Sequence, residues 1–158
     1  MTMSTKEDSF DYPKNVRFHC TKCALCCGDT SARTRHIIMT EAEAEGISRK
    51  NHVTVKDFAR KIDGKTPYVF EMRKNQGGKC VFLDGEICTI YSFRPLVCQF
   101  YPFELKSDAT DRYFFSCTDE CPGIGEGKVL TRKKFMTLFS EAKKRFGRSL
   151  GSDLMYST

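Results

Sequence analysis

Four cysteines stand within eight residues, at Cys20, Cys23, Cys26 and Cys27. Residues 1–12 are polar and acidic, unlike the basic and then apolar start of a secretory leader, so the chain is expected in the cytoplasm. Thiols this dense in a reducing compartment are ligands before they are anything else. A chain built this way must fold so that one short loop faces other donors. Five more cysteines follow, at Cys80, Cys88, Cys98, Cys117 and Cys121, giving nine, about twice what one tetrahedral site needs. The odd count argues against a complete disulfide framework, because at least one thiol would be left over. Metal binding is therefore the function to explain.

At 158 residues the chain fits one domain, and thirteen phenylalanines with six tyrosines supply apolar material for a core. No stretch approaches the ~18 apolar residues of a membrane span. The net charge is +6, with part of the excess in Arg132-Lys133-Lys134 and Lys143-Lys144-Arg145, two triplets on one face of a helix. No aromatics interleave these charges, so a solvated helix face is expected rather than a nucleic-acid surface. Metal ions and a protein partner of unknown kind are the expected associates.

Residues 1–15 and 151–158 read as tails around a domain over 16–150. Ile37-Ile38-Met39 has the composition of a short buried strand. Thr40-Glu41-Ala42-Glu43 is a capping box, predicting a helix of little more than a turn that stops near Gly46. Thr54 to Asp57 predicts a second helix from Val55 to Ile62, and Tyr68 to Met72 a strand. Two apolar runs flank Asp84-Gly85, a hairpin signal with a chemical consequence. A two-residue turn there pairs Leu83 with Glu86 and puts Cys80 and Cys88 on opposite faces. A three-residue loop sets Cys80 directly opposite Cys88, and is expected if both ligate one site. Ser92 to Pro95 reads as a helix start carrying Cys98, ended by Pro102. Phe103 to Lys106 and Arg112 to Ser116 predict another hairpin. Phe135, Leu138, Phe139, Ala142 and Phe146 recur at helical spacing between Thr131 and Gly147, a stripe best explained by core packing. The expected fold is a small α+β domain of short helices and β-hairpins organised around one or two cysteine-ligated metal centres.

Soft thiolates select zinc, cuprous copper or iron–sulfur clusters. Cys20, Cys23 and Cys26 match the first three ligands of bacterial ferredoxins, whose fourth is a remote cysteine followed by proline, as at Cys121-Pro122. That spacing tilts the expectation towards an iron–sulfur cluster of the 4Fe–4S kind, with zinc as the alternative. Adjacent Cys26 and Cys27 more plausibly serve two neighbouring centres, or one ligates while the other packs. Eight thiols, Cys20, Cys23, Cys26, Cys27, Cys80, Cys88, Cys98 and Cys121, would fill two four-ligand sites, leaving Cys117 spare.

These residues also carry a resemblance. The form CxxCxxCC over Cys20 to Cys27, the block from Cys80 to Phe103, and Cys121-Pro122-Gly123-Ile124 together resemble the YkgJ-type cysteine-cluster family, over about residues 18–127. The resemblance implies a zinc- or iron-chelating domain with eight matching cysteines. Some relatives are flagellin lysine N-methylases, but no separate cofactor domain is visible in this sequence.

Other signals yield less. Gly123 to Lys128 imitates a phosphate loop, but Pro122 occupies the first glycine position and Val129 replaces the magnesium-holding hydroxyl. His19 adjoins Cys20 and is expected near the thiols rather than on the metal, while His36 and His52 have no evident partner. Arg94 and Lys22 sit beside cysteines, where a cation lowers thiol pKa values. No arrangement suggests a hydrolytic centre, so any catalytic residues are unknown. The function classes are a redox or metal-handling protein, a zinc-stapled interaction module, or a cluster-dependent enzyme.

Overall fold

The computed structural model describes residues 10–146, apart from 32, 109, 111 and 119. The tail expected at 151–158 and the Gly147 helix stop lie outside them.

An aromatic layer carries much of the core. Strands β8 (Phe103–Ser107) and β9 (Tyr113–Cys117) pair antiparallel, from Phe103 opposite Cys117 to Ser107 opposite Tyr113, within a residue of the expected hairpin. Its loop is held by Asp108, which accepts from the Thr110 and Arg112 amides at 2.8 and 3.1 Å. Helix α4 (Arg132–Phe146) covers one face of this sheet. The Phe135 ring lies 5.0 Å from Phe103 and 5.1 Å from Phe115, and Phe139 lies 5.4 Å from Tyr113. The helical stripe is thus core. Residues 10–15, grouped with the N-terminal tail in the sequence, carry β1 (Phe10–Asp11), which pairs parallel to β9 and buries Phe10 between Phe115 and Phe139. The basic triplets of α4 are partly engaged. Arg132 lies over the Phe10 ring and Arg145 reaches Glu43 at 3.4 Å.

The remaining elements surround the cysteines. Helix α1 (Glu41–Asn51) starts at the Thr40 capping box but runs past Gly46 to a left-handed cap at His52. Burial of Ala44 and Ile47 on either side of Gly46 outweighs the ~1 kcal/mol that glycine costs a helix. Helix α2 (Val55–Phe58) is shorter than expected, because the chain leaves it at Ala59 to form β4 (Ala59–Lys61). Strand β5 (Phe70–Met72) lies between β4 and β3 (Ile38–Met39), both antiparallel to it. The sheet buries Glu71, whose carboxylate receives Arg60 and stands 2.5 Å from His36 Nδ1. Burial raises the Glu71 pKa, and these partners more than reverse that, leaving it below the ordinary value.

Glu43 does more than close its own helix. One oxygen accepts from the Thr40 amide, and the other accepts from the Leu96 amide at 2.6 Å, at the start of α3 (Leu96–Phe100), and from Arg145. One buried carboxylate therefore joins α1, α3 and α4.

The hairpin after Cys80 adopts neither expected register. Strands β6 (Leu83–Asp84) and β7 (Ile87–Cys88) pair Leu83 with Cys88 and Asp84 with Ile87, so the turn is Gly85-Glu86. Gly85, at φ 63°, supplies the left-handed residue at the turn's first position. A second turn, in which the Leu83 amide donates to Cys80 O at 3.0 Å, folds Cys80 back towards the hairpin. The two cysteines approach through that turn rather than by cross-strand pairing.

Candidate metal centre

The cysteine loop leaves β2 (Arg17–Phe18), which pairs with β10 (Ile124–Val129). Ala24, at φ 65°, reverses the chain into a single 3-10 turn, Leu25–Cys27, whose Cys27 amide donates to Ala24 O at 3.0 Å. The turn brings adjacent side chains onto one side. Cys26 Sγ and Cys27 Sγ stand 4.0 Å apart. The Cys80 amide donates to Cys27 O at 2.6 Å, and Gly28 bridges Lys79, so the loop is clamped to the chain that carries Cys80.

Cys80, Cys88 and Cys98 lie in the neighbourhood of this pair. Cys27 contacts Cys26, and the charges of Cys26, Cys80 and Cys88 bear on the Cys98 thiol from α3. Hydrogen bonding from Cys27 holds Cys26 and Cys88 well below the ordinary thiol range, with Arg35 assisting at Cys26 and Arg94 at Cys88. Cys27 is pushed up by its contacts with Cys26 and Cys88. Burial raises Cys80 to about 11 and Cys98 to about 12.

Arg35 is the residue the sequence reading missed. Only 2% exposed, it donates from Nε to Cys26 O at 3.2 Å and from a terminal nitrogen to Val97 O at 3.3 Å. Its guanidinium joins the segment before Cys27 to the helix that carries Cys98. A sequence signal existed: Arg35 stands two residues before the apolar Ile37-Ile38-Met39, and arginine is almost never fully buried unless paired. Asp29 completes the clamp, accepting from the Arg35 amide at 2.7 Å and from Lys74 Nζ at 2.8 Å, which hold its pKa below the usual carboxylate range. Of the cations chosen from sequence, Arg94 lies by Cys88, whereas Lys22 is exposed on the loop at φ 56°.

Cys20 and Cys23 lie on the part of the loop that starts beside Cys121. The His19 amide donates to Gly123 O at 3.1 Å and the Ile124 amide to Cys121 O at 3.1 Å, so the start of the loop lies against Cys121. Cys20 and Cys23 are exposed, while Cys121 is buried. Burial raises the Cys121 pKa, and the charges of Cys23 and Cys20 add to the effect. Arg33 and Arg35 both lie over the Tyr101 ring, at 5.2 and 5.3 Å. Arg33 also pairs with Glu120 at 3.2 Å. Exposed Cys117 stands opposite Phe103 in the β8–β9 ladder.

Gly123 is required where β10 meets the loop. A Cβ there would lie 2.3 Å from His19 O, and that oxygen is backbone. Gly123→Ala should therefore destabilise the protein by ~1–3 kcal/mol, as overpacking does. It should also speed alkylation of buried Cys121, and an unchanged melting temperature with unchanged Cys121 reactivity would refute the contact.

The donors suit a thiophilic metal: sulfur only, on four separate stretches of chain, with guanidinium groups to offset negative charge. Among the described residues, no three Cys, His, Asp or Glu side chains already enclose an ion-sized space, so ligation requires side-chain rotation within the gathered set.

Residues 19–122 match the family model named CxxCxxCC, described as a "Putative zinc- or iron-chelating domain". The chain belongs to this family. An uncharacterized protein of Methanocaldococcus jannaschii is 26% identical over 124 residues, covering 73% of this chain and 40% of the relative. The chain thus spans well under half the length of that relative. No solved structure matches. Metal binding is the function the family description supports, and among the described residues no helix is long and apolar enough to cross a membrane.

Proposed function

We propose that this is a cytoplasmic metal-handling or redox protein whose stable centre is held by thiolates drawn from Cys26, Cys27, Cys80, Cys88 and Cys98. The remaining members of the eight-cysteine set are Cys20, Cys23 and Cys121. The observation that carries the reading is the 4.0 Å separation of the Cys26 and Cys27 sulfurs. A tetrahedral ion with metal–sulfur bonds of ~2.3 Å has ligand sulfurs ~3.8 Å apart, so both can reach one ion with little movement. A cubane cluster instead gives each iron its own cysteine and holds the ligand sulfurs farther apart. The adjacent pair thus favours a single zinc or iron ion in this group, against the ferredoxin-like spacing of Cys20, Cys23 and Cys26.

A bound ion would supply charge neutralisation for thiols that burial keeps protonated, and the fold would gain its binding free energy. Arg35 and Arg94 orient the donors and offset the negative charge left on a four-thiolate site. The test is iron and zinc content per chain, measured on protein purified without oxygen and without added metal. One or two zinc or iron ions without acid-labile sulfide supports the single-ion reading. Several irons with matching sulfide would replace it with the 4Fe–4S centre, and no metal at all would end the proposal.

A further inference from the structure

We propose that cations gathered at the N-terminal end of α4 form a docking surface for an acidic protein partner, beside the strand from which the cysteine loop leaves. The choice of a protein as occupant rests on the metal-handling reading, and the surface itself rests on placement and charge. Sequence spacing shows only the two basic triplets of α4, and the fold treats them differently. In the second triplet, Arg145 reaches Glu43 and Lys143 lies over the Phe139 ring at 5.8 Å. The first triplet, Arg132-Lys133-Lys134, is exposed and is joined by cations from two other stretches of chain. Strand β2 sets Arg17 opposite Val129 of β10, and the Arg17 guanidinium donates to Gly127 O at 3.0 Å, next to Lys128. The Leu130 amide donates to Val16 O at 2.8 Å, and two residues later α4 begins. Lys14 lies over the Tyr12 ring at 3.6 Å, and that ring stacks on Phe135 of α4 at 5.1 Å.

Six exposed cations thus share one end of the fold. Over residues 12–18 and 124–134 the only acid is Glu126, and among the described residues Lys14, Arg17, Lys128, Lys133 and Lys134 are in no ion pair. Their placement works against the helix. The N-terminus of a helix carries a partial positive charge that favours acidic residues, yet the first turn of α4 holds three cations and no acid. Arg132 is compensated by its place over the Phe10 ring, whereas no contact of the Lys133 or Lys134 side chain offsets the cost among the described residues. Residues that break a local rule without a structural gain mark functional sites. A partner face rich in carboxylates answers this charge, and attraction of this kind speeds encounter and weakens with salt. Nucleic acid fits less well, because the rings at this surface are Phe10, which is buried, and Tyr12, which is stacked on Phe135, so neither is open to a base. Because β2 runs directly towards exposed Cys20, a protein docked here sits next to the start of the cysteine loop, as a small, charge-guided redox or transfer partner would.

The experiment measures binding of a fluorescent oligoglutamate peptide to the full chain by anisotropy at low ionic strength, where exposed charges are least screened. Two variants carry the same change in net charge. Lys133→Glu with Lys134→Glu alters the proposed surface, and Lys56→Glu with Lys61→Glu alters exposed positions on α2 and β4. The first pair should weaken binding at least ~10-fold and the second less than ~3-fold, since close charges contribute most. The first pair should also leave the melting temperature unchanged or raise it, because acids then occupy the first turn. Equal losses in the two variants, or no binding by the parent protein, overturn the surface. A DNA duplex of equal charge that binds more tightly than the peptide, and is lost in the first variant, overturns the protein partner and gives the surface to nucleic acid. Metal content of the same samples separates the two readings. A parent protein that holds metal but ignores the peptide loses only the docking surface, and one that binds the peptide without ever holding metal loses only the metal-handling reading.

Discussion

Removing the metal should collapse the cysteine region while leaving the aromatic layer standing. The apparent binding free energy of a structural thiolate site is ~10–16 kcal/mol, comparable to or larger than the ~5–15 kcal/mol stability of a whole domain, so a large part of the folding free energy would depart with the ion. That loss would not fall evenly. The segment from Cys20 to Gly28 contains one 3-10 turn and few backbone partners, and β6 and β7 contribute two residues each. By contrast, β8 and β9 pair along five residues and carry α4 through rings at about 5 Å, contacts that need no ion. Hydrogen exchange on metal-free protein should show residues 19–35 and 78–98 losing protection by orders of magnitude, with amides of β8 and β9 exchanging far more slowly. The melting temperature should fall and broaden. Chelation that leaves both the melt and the exchange pattern unchanged would remove the metal from the account of stability.

Replacing Arg35 with methionine should cost both stability and metal affinity. The substitution keeps much of the apolar stem but removes the donors to Cys26 O and Val97 O. Each buried acceptor left unpaired costs ~1–3 kcal/mol. It also removes the cation that stabilises the Cys26 and Cys98 thiolates. Groups that orient metal ligands from behind are worth ~10–100-fold in affinity, and competition against a chelator of known strength should find a loss in that range. Lysine should rescue only part of it, since one ammonium cannot span two carbonyls as the guanidinium fork does. Affinity equal to that of the parent protein would reduce Arg35 to a packing residue.

Much of this arrangement was legible in the sequence, and the reasons differ from element to element. The capping box at Thr40 and the stripe from Phe135 to Ala142 are local signals, and the structure realises both. What the sequence hid depends on long-range partners. Gly46 looks like a stop until Ala44 and Ile47 are known to be buried. The Cys80–Cys88 hairpin slips because its turn chemistry suits both Asp84-Gly85 and Gly85-Glu86, and the strands are too short to impose a register. Strand β1 was invisible because two residues carry no periodicity, and only Phe115 and Phe139 explain the burial of Phe10. Arg35 was hidden for the same reason, as its acceptors lie 9 and 62 residues away.

The pairing of β2 with β10 bears on how the protein is made. Residues 17–18 meet residues 124–129, so the first cysteines to leave the ribosome must wait for more than a hundred further residues before the strand that anchors their loop exists. At ~5–20 residues per second that is a delay of ~5–20 s, during which Cys20 to Cys27 travel on an unfinished chain. Newly made thiols in that interval are open to oxidation and to whichever thiophilic ion arrives first. Correct metallation is therefore a property of the completed chain, and the order of synthesis sets a period in which cellular reductant and metal supply decide the outcome.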